Sequence, residues 1–216
     1  MPESPSSPSA KRGRRKEARP GELLEAALDL FVEKGYAATR VEEVAARAGV
    51  SKGTLFLYFP SKEELFKAVV RENISGRFSE WQETLTHFAG NCSEMIEYAF
   101  FAWWERIGST KVNGLGKLMV SEANNFPEIA LFYRNEVVLP AQDLIRQILK
   151  RGMASGEFRD IDLEYAIYLV QAPLMQLDLM QSSKAICIVN PDNFDPLKYL
   201  KMHADNLLVG LRPRAA

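Results

Sequence analysis

From residue 20 to residue 88 the apolar positions recur at helical spacing in four runs, separated by glycine, serine and proline. Leu23, Leu24, Ala27, Leu30 and Phe31 place one stripe on a first helix that Pro20 opens and Gly35 ends. Val41, Val44, Ala45 and Ala48 give a second, shorter helix the same kind of face. Thr39 followed by Glu42 reads as a capping box at its start, and Gly49 supplies the left-handed residue that ends it. Ser51 caps a third helix whose inner stripe is Leu55 and Phe59, and Pro60 stops it. Ser61 and Glu64 cap a fourth, which should run from Lys62 through Phe78 and Trp81 towards Phe88. Two short helices around a tight turn make a helix–turn–helix, the geometry with which many proteins enter a DNA major groove.

Beyond residue 90 the pattern stays helical. Helices are expected near 93–107, 115–124, 127–154, 161–181 and 195–210, with Pro140 and Pro173 kinking or interrupting two of them. Residues 182–194 read as a loop, although Ile186 to Val189 is apolar enough to pack. The run from Tyr98 to Trp104 carries aromatics on every side and predicts a helix buried all round. The fold class is therefore all-α.

Charge changes the picture at one end only. The chain of 216 residues has a formal net charge of −1, yet residues 1–62 hold 11 basic against 8 acidic residues. Lys11, Arg12, Arg14, Arg15, Lys16 and Arg19 face only Glu17. Residues 1–18 lack apolar periodicity and read as a disordered basic tail, either a solvated segment or an arm that reaches DNA. No apolar run is long enough to span a bilayer and no leader pattern opens the chain, so a cytoplasmic protein without membrane association is expected. Cys92 and Cys187 lack C-x-x-C spacing and read as reduced thiols rather than a redox-sensing pair.

The run G-V-S-K-G-T-L-F-L-Y-F-P-S-K-E-E-L, Gly49 to Leu65, closely resembles the DNA-binding signature of the TetR/AcrR family of bacterial transcriptional regulators. A-A-L-D-L-F-V-E-K-G-Y-A-A-T, Ala26 to Thr39, is similar to the first helix of that family, and the match continues from about Pro20 to Val70. Phe56 stands where the family usually has tyrosine, which removes one phenol from the expected phosphate contacts. The resemblance implies a three-helix helix–turn–helix domain at 19–66 and a larger helical effector-binding and dimerisation domain at 67–216. It also implies a homodimer on double-stranded DNA, a small effector, and most often repression at a near-palindromic operator.

With Leu55 and Phe59 inward, a step of 100° per residue turns Gly53, Thr54, Phe56 and Leu57 outward. Gly53 allows close backbone approach, Thr54 reaches a base edge or phosphate, and Phe56 or Leu57 meets a thymine methyl. Ser51, Lys52, Tyr58 and Lys62 are further contact candidates, Lys52, Tyr58 and Lys62 as phosphate clamps, with Arg40 as an extra contact. The resemblance adds Thr39. Candidate lining for a largely apolar effector is Phe101, Trp104, Met119, Phe132, Met175 and Met180, each of which could equally be ordinary core. For the last two helices the resemblance implies a four-helix dimer interface with Leu163, Ile167, Val170, Leu174, Met202 and Leu207, against which stands packing within one chain.

An enzyme is disfavoured. His87 and His203 are the only histidines, and neither sits in metal-ligand spacing. No G-x-S-x-G, P-loop or G-x-G-x-x-G occurs, so no cofactor and no metal are expected. A second alternative is a helix–turn–helix adaptor acting through protein contacts, without a small-molecule effector.

Overall fold

The computed structural model describes residues 19–182 and 191–213, and every regular element among them is helical. The first four helices, α1 (Arg19–Ala38), α2 (Val41–Arg47), α3 (Lys52–Tyr58) and α4 (Lys62–Asn73), form the head. α1 loses helical geometry at Gly35, whose φ of +83° only glycine adopts cheaply. Carbonyls left open there are closed by Thr39, whose hydroxyl donates to Gly35 O at 2.7 Å and lies 3.1 Å from Leu30 O. That hydroxyl is therefore not a helix cap. Arg40 holds the N-cap position of α2, and Glu43, not Glu42, reaches back to the Arg40 N–H at 3.4 Å. At the other end Gly49 N–H donates to Ala46 O and Val50 N–H to Ala45 O, a Schellman closure. Ser51 and Ser61 cap α3 and α4, accepting from Thr54 N–H and Glu64 N–H at 3.1 Å each.

A first core joins Leu23, Leu30 and Phe31 of α1 to Val44, Leu55, Leu65 and Phe66 of the next three helices. It does not stop at residue 66. Leu115 and Leu118 of α7 (Gly114–Glu122) and Ile129 of α8 (Pro127–Tyr133) belong to the same buried cluster. Phe126 stacks edge-on against Tyr36, 4.8 Å between ring centres, extending the Phe31–Tyr36–Phe66 aromatic group.

The fourth helix does not continue to Phe88. Helical geometry breaks at Ile74 (φ −130°, ψ −72°), a short turn follows at Ser75–Arg77, and α5 (Phe78–His87) sets off anew. Ile74 is buried, and Gly76 tucks so close that a Cβ there would lie 2.6 Å from the Arg71 carbonyl oxygen. Apolar spacing resumes on both sides of this turn, which hides the break from a periodicity reading.

A second core is built from α6 (Cys92–Trp103), α9 (Leu139–Ala154), α10 (Leu163–Ser182) and α11 (Pro196–Leu211), with Phe100, Leu149, Leu177 and Leu200 at its centre. Glu157 caps α6 from outside, accepting from the backbone N–H groups of Cys92 and Ser93 at 2.7 Å each. The Cys92 thiol beside it is buried, and burial followed by Glu157 pushes its pKa up, as expected of an inert thiol. Cys187, the Ile186–Val189 segment and the basic tail lie outside the described residues.

Two corrections concern the aromatic run and the prolines. Of Tyr98 to Trp104 only Phe100 is fully enclosed, while Tyr98 is 40% exposed and Phe101, Trp103 and Trp104 are half-buried. The interruption expected at Pro140 is present as a wider π-helical turn at Arg134–Val138, just ahead of α9, whereas α10 runs on through Pro173.

Candidate functional site

α3 buries Leu55 completely and lays Phe59 against the first core. Its opposite face leaves Leu57 84% exposed and Phe56 and Tyr58 37% exposed each, beside exposed Lys52 and Gly53. Thr54 is held at the start of this face, its hydroxyl 2.9 Å from Ser51 Oγ. At Gly53 a Cβ would come no nearer than 3.7 Å to any neighbour, so the head itself does not need glycine there. The space that this glycine spares lies outside the protein.

Charges around this face are paired but exchangeable. Lys52 Nζ is 2.6 Å from Glu42 and 5.6 Å from the Phe56 ring centre, and the lysine holds the Glu42 carboxyl below its ordinary range. Such an exposed pair is worth little, and a phosphate can replace the carboxylate. Arg40 is exposed and, among the described residues, in no ion pair.

Two of the residues expected to contact DNA are engaged within the head. Thr39 is 2% exposed with its hydroxyl spent on two carbonyls. Lys62 does not project as a clamp either. Its Nζ donates to the carbonyls of Tyr36, Thr39 and Ala37 at 2.9, 3.2 and 3.3 Å and rests 4.5 Å above the Tyr36 ring. Burial lowers its pKa. Both residues close the corner that Gly35 opens, a tertiary demand no local pattern displays.

A cavity of about 150 Å³ lies at the seam between the two cores. α5 contributes Phe78, Trp81, Leu85 and Phe88; α6 and the π-helical turn that follows it (Trp104–Gly108) contribute Met95, Tyr98, Ala99, Ala102, Trp103 and Arg106; α9 contributes Leu144, Ile145 and Ile148. Phe78 and Trp81 pack on the first core, Leu85 and Phe88 on the second, and Trp103 on both. α5 has no fully buried residue and acts as the cover. Reciprocal amide bonds between Gln82 and Gln147, 2.8 and 3.0 Å, hold its edge to α9.

None of the six residues expected to line an effector pocket lines this one. Met119 belongs to the first core, Phe132 lies beneath Lys67 and Arg71, and Met175 is 62% exposed. Trp104 and Met180 pack against the second core, and Phe101 is half-buried away from the cavity. The aromatic helix does line the cavity, but with its other face. A cavity needs missing volume, so Ala99 and Ala102 mark it, at helical spacing with Met95 and Arg106.

Most residues expected at a dimer interface point into their own chain. Ile167 and Val170 are buried within the chain, Leu163, Leu174 and Leu207 pack on its second core, and only Met202 is exposed. The unpartnered stripe on α10 is instead Tyr165, Tyr168, Leu169, Met175 and Leu179, with Met202 and Val209 exposed on α11. Periodicity gave α10 two apolar faces and no means of telling which one the chain keeps for itself.

Polar latches tie the head to the rest. Glu122 of α7 accepts the Ala37 N–H at 3.0 Å, Lys111 reaches Asp29 at 2.7 Å, and Arg71 grips Glu136 with two bonds of 2.9 and 2.5 Å. Among the described residues no three His, Cys, Asp or Glu side chains are placed to hold a metal, and no helix is long and apolar enough to cross a membrane.

Comparison with known proteins places this architecture. Residues 23–69 match the family described as bacterial regulatory proteins, tetR family. The chain is 30% identical over 168 residues to the transcriptional repressor KstR2 of Mycolicibacterium smegmatis, spanning 76% of this chain and 77% of that one. To the transcriptional regulator RutR of Escherichia coli it is 48% identical over 64 residues, 30% of each chain. In fold it is similar to the fatty acid degradation regulator FadR of Bacillus halodurans, at a TM-score of 0.73 and 24% identity over 93% of this chain and 100% of that one. These relatives are transcription regulators, not enzymes. With the head matched to that family and the wider chain to KstR2, the chain belongs to the tetR family of bacterial regulatory proteins.

Proposed function

We propose that this protein is a homodimeric repressor whose two α3 helices enter successive major grooves of a near-palindromic operator, and that a small, largely apolar effector releases it. The exposed strip Gly53–Thr54–Phe56–Leu57 carries the DNA half of that proposal. Large apolar side chains on an outer face require a partner surface, and a thymine methyl is a fitting one. Lys52, Arg40 and Tyr58 flank the strip as phosphate contacts, with Ser51 setting the start of the helix.

The exposed α10–α11 stripe supports the dimer, because one seven-residue helix reads too few base pairs for useful specificity. Two copies spaced about 34 Å apart supply it. The seam cavity supports the effector half. A ligand there wedges α5 away from α9, and α5 leads through the Ile74 turn into α4, whose Leu65 and Phe66 sit in the head core. Movement of one core against the other changes the spacing of the two heads. Only the ligand's preference for the respaced state drives release.

Titration of a labelled duplex from the chain's own upstream region, at several salt concentrations, tests the proposal. Salt-dependent binding whose sequence preference changes in Leu57→Ala is expected. An adaptor acting through protein contacts would show no duplex affinity at any salt.

A further inference from the structure

Resting on the effector reading above, we infer that the seam cavity takes an amphipathic acid: an apolar tail of modest length carrying one carboxylate. The apolar part follows from the walls, which are aromatic and aliphatic apart from Thr84 and Arg106. The head group follows from two atoms. Trp81 Nε1 and Arg106 Nη1 are both buried and, among the described residues, have no hydrogen-bond partner. Both belong to residues that line the cavity, one on its cover and one on its floor. Trp81 Nε1 has no acceptor among the described residues and Arg106 Nη1 has only the unaligned Glu80 carboxylate 3.1 Å away, so what completes both is an acceptor.

Local structure shows how Arg106 reaches a wall otherwise made of hydrocarbon. α6 widens into its π-helical turn at Trp104–Gly108, and Gly108 makes that turn possible. A Cβ there would lie 2.6 Å from the Trp103 ring and 2.7 Å from the Trp104 ring. Arg106 follows Met95 by eleven residues, about three helical turns, which puts it on the same cavity-facing stripe. The charged neighbour of Arg106 is Glu80 of α5, 3.1 Å from Nη1 but without hydrogen-bond alignment. Glu80 is 55% exposed against 30% for Arg106, so it balances the charge from the solvent side. An amine head group would bring a second cation beside Arg106 and leave both donors unanswered, and a neutral alcohol can accept from them but adds a donor of its own and no charge to match the guanidinium.

Size sets the tail. A cavity near 150 Å³ is the volume that an engineered lysozyme pocket offers benzene, so a chain of roughly six to eight carbons fits without displacing α5 far.

The test is calorimetric titration of the full-length protein with octanoate, octanol and octylamine, in the wild type and in Trp81→Phe and Arg106→Gln. Trp81→Phe keeps a ring against Phe78, now 5.0 Å from it, and deletes only the donor. Octanoate should bind at least tenfold more tightly than octylamine, and each variant should lose roughly tenfold for octanoate while changing octanol little. Thermal unfolding establishes that both variants fold; should one fail to fold, the other variant and the wild-type ranking of the three probes decide the outcome. If all three probes bind the wild type alike and the variants preserve that, the cavity stands as an effector site and the carboxylate assignment is overturned. If none binds, the effector reading itself falls with it.

Discussion

Around α1–α4 the enclosed polar groups of the head corner meet partners: the Thr39 hydroxyl faces two carbonyls and the Lys62 ammonium three. Along the seam with the second core they do not. Trp81 Nε1, Arg106 Nη1 and the Asp178 Oδ1 of α10 are buried with no hydrogen-bond partner among the described residues. The contrast separates two tasks. A surface that reads DNA gains from a head locked into one shape, since a misplaced helix forfeits its contacts. A seam that responds to a ligand needs interactions left for the ligand to complete, and a protein satisfied everywhere would have nothing to gain from binding.

Asp178 offers the largest lever on this contrast. It lies where α10 meets α7, its Oδ2 3.3 Å from where a Gly116 Cβ would be, and burial pushes its carboxyl up to about 7. A carboxyl whose folded pKa exceeds the unfolded value near 3.9 costs stability as pH climbs above about 4, and the cost is complete above about 7. Asp178→Asn should therefore raise unfolding free energy at pH 8 by on the order of 2–4 kcal/mol and by little at pH 4. Urea denaturation at the two pH values checks this, and an equal gain at both would mean that ionisation is not the cause.

The head should answer in the opposite direction. Lys62→Met removes three bonds to the α1 corner and should cost roughly 2 kcal/mol, seen as a lower denaturation midpoint. Unchanged stability with weakened binding to every duplex would restore the phosphate clamp. Gly53→Ala sharpens the comparison further, since Ala fits the fold and improves helix propensity. It should stabilise the head by about 0.5–1 kcal/mol and yet weaken duplex binding on the order of tenfold. Stability and affinity moving together would remove the close-approach role. The smallest effect belongs to Glu42→Gln, which frees Lys52 and should raise affinity a few-fold at low salt only, read from a salt titration.

Legibility in the sequence followed how local each feature is. The turn between α2 and α3 and the end of α3 were legible because Gly49, Ser51 and Pro60 act through their own backbone neighbours. The exposed face of α3 was legible because a seven-residue helix with one buried leucine has only one inner side. The inward bonds of Thr39 and Lys62 were not legible because the corner at Gly35 brings the carbonyls to them, 4 and 9 residues away for Thr39 and 23 to 26 for Lys62. The cavity was missed because absence of volume is written in Ala99 and Ala102, which carry no chemistry of their own. Which apolar side of α10 the chain keeps for itself was not legible, because the helix is apolar on both sides and burial within the chain chose between them.

Filling the seam should loosen the grip on DNA. Ala102→Phe places a ring inside the cavity without touching α3, and fluorescence anisotropy against a selected near-palindromic duplex reads the consequence. A folded, dimeric variant that binds that duplex at least tenfold more weakly than the wild type is the predicted result; undiminished affinity with the ring seated in the cavity would contradict it.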